Sequence, residues 1–224
     1  MIHISPSILA ANWARLGEAV ELVEKAGASS IHVDVMDGHY VPNLGFGPYV
    51  VSALKEHSLL PFHVHLEIMC PERVASLFID AGADLIIFHP ETCEDPDKML
   101  DQIQSRGCKT GIALHPAMPS DSIETYLHRL DLLLLMSIEP GFGGQSFKRE
   151  SLQRIQKVSR FALARNQKIS IGIDGGITFE TAQLAVEAGA TLLVAGTAIY
   201  GAKKPADAVH KLRKVAGMAY MQSL

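Results

Sequence analysis

The tripeptide Ala-Gly-Ala occurs at 26–28, 81–83 and 188–190, each time behind a helix-like stretch and directly before an apolar run: SSIHVDV, DLIIFHP and TLLVAGT. A glycine at that junction suits a helix C-terminus, where a left-handed residue lets the chain turn into the next strand. The spacing constrains the fold. Gly27 and Gly82 are 55 residues apart, Gly82 and the similar Gly107 25, and Gly107 and Gly189 82. These are close to two, one and three units of about 27 residues, the size of a strand with a returning helix. A chain of 224 residues holds eight such units. The sequence therefore predicts one α/β domain over 1–224, a (β/α)8 TIM barrel with its active site at the C-terminal ends of the strands.

Strands are expected at 2–6, 30–35, 62–66, 84–88, 109–114, 131–136, 168–173 and 191–195. Most are continuous apolar runs, as in a parallel sheet covered by helices. The first helix is expected behind Asn12 as N-cap, with Trp13, Leu16, Val20 and Val23 on one face and Glu18, Glu21 and Glu24 toward the other. The last is expected from about Pro205, repeating Val209, Leu212 and Val215. No linker or composition shift divides the chain.

Composition narrows the function classes. A net charge of -4 carries no basic excess for nucleic acid. The three cysteines, Cys70, Cys93 and Cys108, follow no metal-ligand spacing and fit reduced thiols in the cytoplasm. The start, MIHISPSILA, lacks a basic region followed by a long apolar run, so no signal peptide is expected. The most apolar run, 130–138, is interrupted by Asp131 and is too short to cross a bilayer, so no membrane partner is expected.

The chemistry gathers at the strand ends. Side chains alternate along a strand, so His32 and Asp34 face one way while Ile31, Val33 and Val35 face the other. Strand three adds His63 and His65, strand four ends at His89, strand five at His115 and strand seven at Asp174. His32, Asp34, His65 and Asp174 make a mixed nitrogen and oxygen ligand set for one divalent metal ion, such as zinc, iron(II) or manganese. Glycine-rich loops follow the last three strands, GFGGQSF at 141–147, DGGI at 174–177 and AGTAI at 195–199. Backbone amides in such loops approach an anion closely, which points to a phosphate. Metal and phosphate sites on one mouth imply a small phosphorylated substrate. Asp34 and Asp174, from strands two and seven, are expected some distance apart across the mouth, one on each face of the substrate. That suits taking a proton from a carbon beside a carbonyl on one face and returning one on the other, through an enediolate that the metal stabilises. The product is an epimer.

The motifs HVDVMDGHYVPN, VHLEI, FHPET, EPGFGGQSF, IDGGI and VAGTAIY, with the opening ISPSILAAN, resemble the ribulose-phosphate 3-epimerase family over nearly the whole chain and in order. The resemblance implies interconversion of D-ribulose 5-phosphate and D-xylulose 5-phosphate, a step of the pentose phosphate pathway, at a bound divalent metal. It implies Asp34 and Asp174 as the acid/base pair, and His32, Asp34, His65 and Asp174 as metal ligands. It implies Ser7 and His65 as substrate contacts. Gly141, Phe142, Gly143, Gly144, Gly175 and Gly176 match the loops that hold the substrate, and Gly196 with Thr197 the phosphate end. Met36 and Met136 match methionines near the reacting carbons.

The chain departs from the family in three places. Glu67 stands where a methionine is usual and by alternation faces the same way as His65; it could bind the metal, repel the enediolate or turn outward at the strand end. His63 stands where aspartate is frequent, and His115 where asparagine or lysine is common. The rival readings are an epimerase of a longer sugar phosphate such as allulose 6-phosphate and a non-catalytic phosphosugar-binding barrel. A metal-dependent hydrolase is disfavoured because the HVH pair at 63–65 is on strand three with no strand-end lysine. A decarboxylase barrel is disfavoured because no Asp-x-Lys-x-x-Asp pattern is present. Assembly as a homo-oligomer through the outer helices is expected.

Overall fold

The computed structural model describes residues 1–165 and 167–222. The apolar runs form eight parallel strands: β1 (His3–Pro6), β2 (Ile31–Met36), β3 (Phe62–Glu67), β4 (Leu85–Phe88), β5 (Lys109–Leu114), β6 (Leu132–Met136), β7 (Ser170–Asp174) and β8 (Leu192–Ala195). None departs from its expected span by more than two residues at either end. The strands are hydrogen-bonded in the order β1-β8-β7-β6-β5-β4-β3-β2. A parallel bridge between Ser7 and His32 brings β1 against β2, so the sheet curls into a nearly closed barrel.

Helices return the chain between strands, α1 (Leu16–Lys25), α2 (Pro48–Lys55), α3 (Ala75–Asp80), α4 (Pro96–Ser105), α5 (Glu150–Ala164) and α6 (Phe179–Glu187), and the short α7 (Thr197–Tyr200) and α8 (Pro205–Gln222) follow β8. The Ala-Gly-Ala repeats end α1, α3 and α6 as expected. Gly27, Gly82 and Gly189 have φ of 87°, 104° and 113°. The following alanine amide then reaches back five residues, from Ala28 to Val23, Ala83 to Phe78 and Ala190 to Ala185. Each closes a helix by satisfying a carbonyl that its last turn leaves free.

Alternation divides the buried side chains into two layers. Ile31, Val33, Phe62, Val64, Leu133 and Leu193 point outward and pack under the helices with Val20, Val23, Leu54 and Leu212. Leu85, Ile87, Ala113, Leu132, Leu134, Met136, Leu192 and Val194 fill the inside of the barrel. They fit because β5 and β7 present glycine there: a Cβ on Gly172 would sit 2.8 Å from Leu134 Cδ1. Large residues beside small ones fill such barrels, and truncating Leu134 to alanine is expected to cost about 2–5 kcal/mol. The inner face of β2 and β3 is polar instead, and the site is built there.

Three expectations are revised. Asn12 caps a short 3-10 turn, Trp13–Arg15, by accepting from the Ala14 amide, and α1 begins only at Leu16. Trp13 leaves the apolar helix face, half-exposed, and packs its ring on Phe46 at 4.5 Å. On α8, Val209, Leu212 and Ala216 are buried while Val215 is only half-buried. No α-helix lies between β5 and β6, where the chain makes turns and a 3-10 segment, Leu127–Arg129. Pro116 and Pro119 remove amide donors in that stretch, and Ser120, Asp121 and Ser122 favour local turns. Arg154 of α5 covers the strand ends left bare, donating to the carbonyls of Leu114, His115, Met118 and Met136 at 2.8–3.3 Å. Among the described residues no helix is long and apolar enough to cross a membrane.

Candidate active site

The parallel pairing of β2 with β3 sets Asp34 beside His65 and Met36 beside Glu67, all on the inner face, and β7 ends with Asp174 beside Met136 of β6. His32 Nε2 lies 3.2 Å from Asp34 Oδ1 and 3.5 Å from Asp174 Oδ2. His65 Nδ1 lies 3.6 Å and 3.9 Å from the same two oxygens. The four donor atoms all fall within 4.8 Å of one another. The two carboxylates are therefore much closer than strand order alone suggests, because side chains on the inner face of so narrow a barrel converge toward its axis.

The donor set fits a divalent cation. His32 and His65 are fully buried, and among the described residues His32 Nε2 and His65 Nδ1 have no hydrogen-bond partner although both are turned toward the carboxylates. Buried ring nitrogens without partners are costly, and a cation would use both lone pairs together with the two carboxylates. The carboxylates themselves stand in unequal surroundings. Burial works against the charge on Asp34, but the neighbouring His32 and His65 outweigh it and hold the carboxyl well below its usual range. The Ser7 hydroxyl also donates to Asp34 Oδ2 at 2.6 Å. Burial pushes the Asp174 carboxyl up to about 7, with His32 pulling against the rise and the Asp34 charge adding to it. Neighbouring carboxyl groups set apart in this way are suited to opposite proton-transfer roles. Burial also takes His65 down to about 3, whereas for His32 the pull of Asp34 and Asp174 overcomes burial and raises it.

Glu67 does not turn outward. It is 2 % exposed, its Oε1 lies 3.8 Å from His65 Nδ1, and its Oε2 has no hydrogen-bond partner among the described residues. Burial, then the charges of Asp34 and Asp174, push its carboxyl well above the ordinary range. It stands outside the set of mutually close donor atoms. The other strand-end histidines are also kept apart from that set. His63 lies one step down the inner face of β3, and burial takes it down to about 3. His115 sits at the rim, paired with Glu139 at 3.1 Å. His89 is fully buried behind His65.

Above the ligand set opens a cavity of about 380 Å³. Asp34, Glu67 and Asp174 reach its floor, and Met36 and Met136 form apolar parts of its wall. Ser7, the GFGG loop with Gly141, Phe142, Gly143 and Gly144, and the strand-end residues Gly175, Gly176, Gly196 and Thr197 complete it. Gly175 and Gly176 have φ of 103° and 60°, and a Cβ on either would fall 2.4 Å from Ile138 Cγ1 or 2.5 Å from the Phe147 amide nitrogen. Conformation and space thus both require glycine there. The GFGG loop is held by Asn43 Nδ2 donating to the Gly141 carbonyl at 2.8 Å, and by Gln145 Nε2 donating to the carbonyls of Glu139 and Phe142, each at 2.8 Å. Trp13, Asn43 and Ile138 also line the cavity and were not foreseen. Asn43 lies inside the HVDVMDGHYVPN motif, but its reach to a loop 98 residues away leaves no local signal.

Residues 3–200 match the ribulose-phosphate 3 epimerase family. The ribulose-phosphate 3-epimerase of Bacillus subtilis is 45% identical over 214 residues, 95% of this chain and 99% of its own. That of Mycobacterium tuberculosis is 44% identical over 216 residues, 96% of this chain and 93% of its own. Among solved structures, KGPDC from Streptococcus mutans superposes with a TM-score of 0.71 at 15% identity, covering 98% of this chain and 99% of that one. The 3-hexulose-6-phosphate synthase of Salmonella typhimurium also gives 0.71, at 17% identity over 100% of both chains. At such identities the likeness speaks for the barrel alone.

Proposed function

The chain belongs to the ribulose-phosphate 3-epimerase family and is an epimerase; on that premise we propose that it exchanges the C3 proton of D-ribulose 5-phosphate and D-xylulose 5-phosphate between Asp34 and Asp174. The observation that carries this reading is the meeting of two carboxyl groups, from strands on different sides of the barrel, at the floor of one cavity. The ionised Asp34 takes the proton from C3, and the electron pair of that bond moves toward the C2 carbonyl. Asp174 delivers a proton to the opposite face of C3. In the reverse direction the roles exchange.

Ser7 fixes the orientation of the Asp34 carboxylate by donating to Oδ2, and Oδ1 is the oxygen beside His32 and His65. Met36 and Met136 keep water from the enediolate. The phosphate lies against the amides of loops 141–144, 175–176 and 196–197. One divalent metal ion, zinc, iron(II) or manganese, fits His32, Asp34, His65 and Asp174, and when bound supplies positive charge that stabilises the enediolate. The same reading makes the chain one barrel domain working in the cytoplasm. It assembles as a homo-oligomer through outer helices, where Leu77, Leu163 and Met218 stand exposed.

The test is xylulose 5-phosphate formation by the parent and by Asp34→Asn and Asp174→Asn, with circular dichroism to verify the fold. Each variant removes one proton carrier without a large change of volume and is expected to lose about 10²–10⁴-fold in rate. Parent-like turnover by either would refute the two-carboxylate mechanism.

A further inference from the structure

We propose that His89, Tyr40 and Glu91 form a one-directional hydrogen-bond relay that fixes the tautomer and ring orientation of His65, and so sets the affinity of the metal site from a position that never touches the ion. The inference rests on the metal reading above. His65 and His89 are both fully buried, with rings stacked at 5.1 Å between centroids and Nε2 atoms 3.0 Å apart. Two imidazole nitrogens at that distance form a bond only if one carries the proton and the other does not. His65 Nδ1 faces the carboxylates and has no hydrogen-bond partner. It is the nitrogen with its lone pair available to a cation, so the proton resides on Nε2 and is donated to His89.

The rest of the chain of bonds then follows. His89 must accept through Nε2 and carry its own proton on Nδ1, which lies 3.1 Å from the Tyr40 hydroxyl and 3.4 Å from Glu91 Oε1. Tyr40 donates to Glu91 Oε1 at 2.8 Å. The relay ends on a carboxylate, an acceptor without a proton to return, so it runs in one direction only. Each donor has an acceptor and no link is left open.

The sequence builds this relay locally. In the FHPET run, Pro90 starts a 3-10 turn in which the Thr92 amide and hydroxyl both donate to the His89 carbonyl, at 3.0 and 2.7 Å, which folds Glu91 back over His89. Asp37 secures Tyr40: its Oδ1 accepts from the amides of His39 and Tyr40 at 2.8 and 3.0 Å, and its Oδ2 from that of Met69 at 2.9 Å. The loops after β2, β3 and β4 are thereby joined behind one ring. Groups that orient a ligating histidine through its second nitrogen typically change metal affinity by about 10–100-fold when removed. These three are positioning residues, since none reaches the cavity floor.

The experiment titrates the metal-stripped proteins with Co²⁺ against a chromophoric chelator and records the ligand-field absorption of the bound ion. His89→Leu should bind Co²⁺ about 10–100-fold more weakly than the parent, with an altered spectrum. His89→Gln, which can place an acceptor oxygen near the lost Nε2, should recover part of that affinity. Tyr40→Phe and Glu91→Gln, nearly isosteric and at the outer end, guard against misfolding of the His89 variants. In ¹⁵N-histidine spectra they should loosen the fixed pattern expected for the parent, a proton on Nε2 of His65 and on Nδ1 of His89. Parent-like Co²⁺ affinity and spectrum in His89→Leu would overturn the relay alone. A parent that binds no Co²⁺ would overturn the metal reading, and the relay with it.

Discussion

Replacing Glu67 by methionine is a sharp test of how this site differs from a generic one. The carboxyl group is 2 % exposed, one of its oxygens has no partner, and it stands outside the group of mutually close ligand atoms. Leaving a buried polar group unpaired costs about 1–3 kcal/mol, whereas the flexible thioether of methionine fills similar space without that penalty. Glu67→Met should therefore stabilise the protein by about 1–3 kcal/mol, which for a chain of this length raises the melting temperature by about 2–12 °C. The gain depends on pH with a definite sign. The folded-state pKa lies above the ordinary value of 4.5, so the parent is least penalised below pH 4.5 and loses stability as pH rises through the folded value. The difference between variant and parent should widen from pH 4 to pH 7. Thermal unfolding in excess chelator measures it without the contribution of a bound ion, and the epimerase rate should be kept or raised. A lower melting temperature in chelator, or total loss of activity, would refute the reasoning and make Glu67 a ligand or a catalytic group.

Ser7→Ala removes a 2.6 Å hydrogen bond to a buried carboxylate. Such bonds contribute about 1.5–3 kcal/mol, so if this one is lost from the transition state kcat should fall by about 10–160-fold, and an unchanged kcat would show that Asp34 is held by other means. His63 is carried down to about 3 by burial. A base depressed in the folded state adds stability that is present above the unfolded value of 6.5 and is lost as pH falls toward 3, at up to ~1.4 kcal/mol per pH unit. His63→Asn should flatten part of that acid limb in chelator-treated protein, with the remainder due to His65. An identical limb would mean that His63 is solvated when folded.

The parts legible in the sequence were those governed by short-range rules. The pleat alone turned His32 and Asp34 inward together, and the left-handed glycines Gly27, Gly82 and Gly189 marked where helices hand over to strands. The unit length then fixed eight repeats. The parts that escaped depend on contacts between distant segments. The convergence of Asp34 and Asp174 comes from barrel closure, which strand order does not encode as a distance. Trp13 left its expected helix face because Phe46 offers it a ring to pack on. The helix missing after β5 is a different case, since Pro116, Pro119 and the turn formers Ser120, Asp121 and Ser122 carry that signal locally and the eightfold unit count overrode it. Alternation did place Glu67 correctly on the inner face, yet it could not decide whether a residue at the very end of a strand stays inside.

Proton transfer at C3 is the step on which the other assignments depend. The direct measurement is NMR of ribulose 5-phosphate incubated with the metal-loaded protein in deuterium oxide. Two carboxyl groups serving one carbon predict deuterium at C3 together with the appearance of xylulose 5-phosphate. Sugar phosphate that binds in the cavity yet keeps its C3 proton, with no epimer formed, would contradict it.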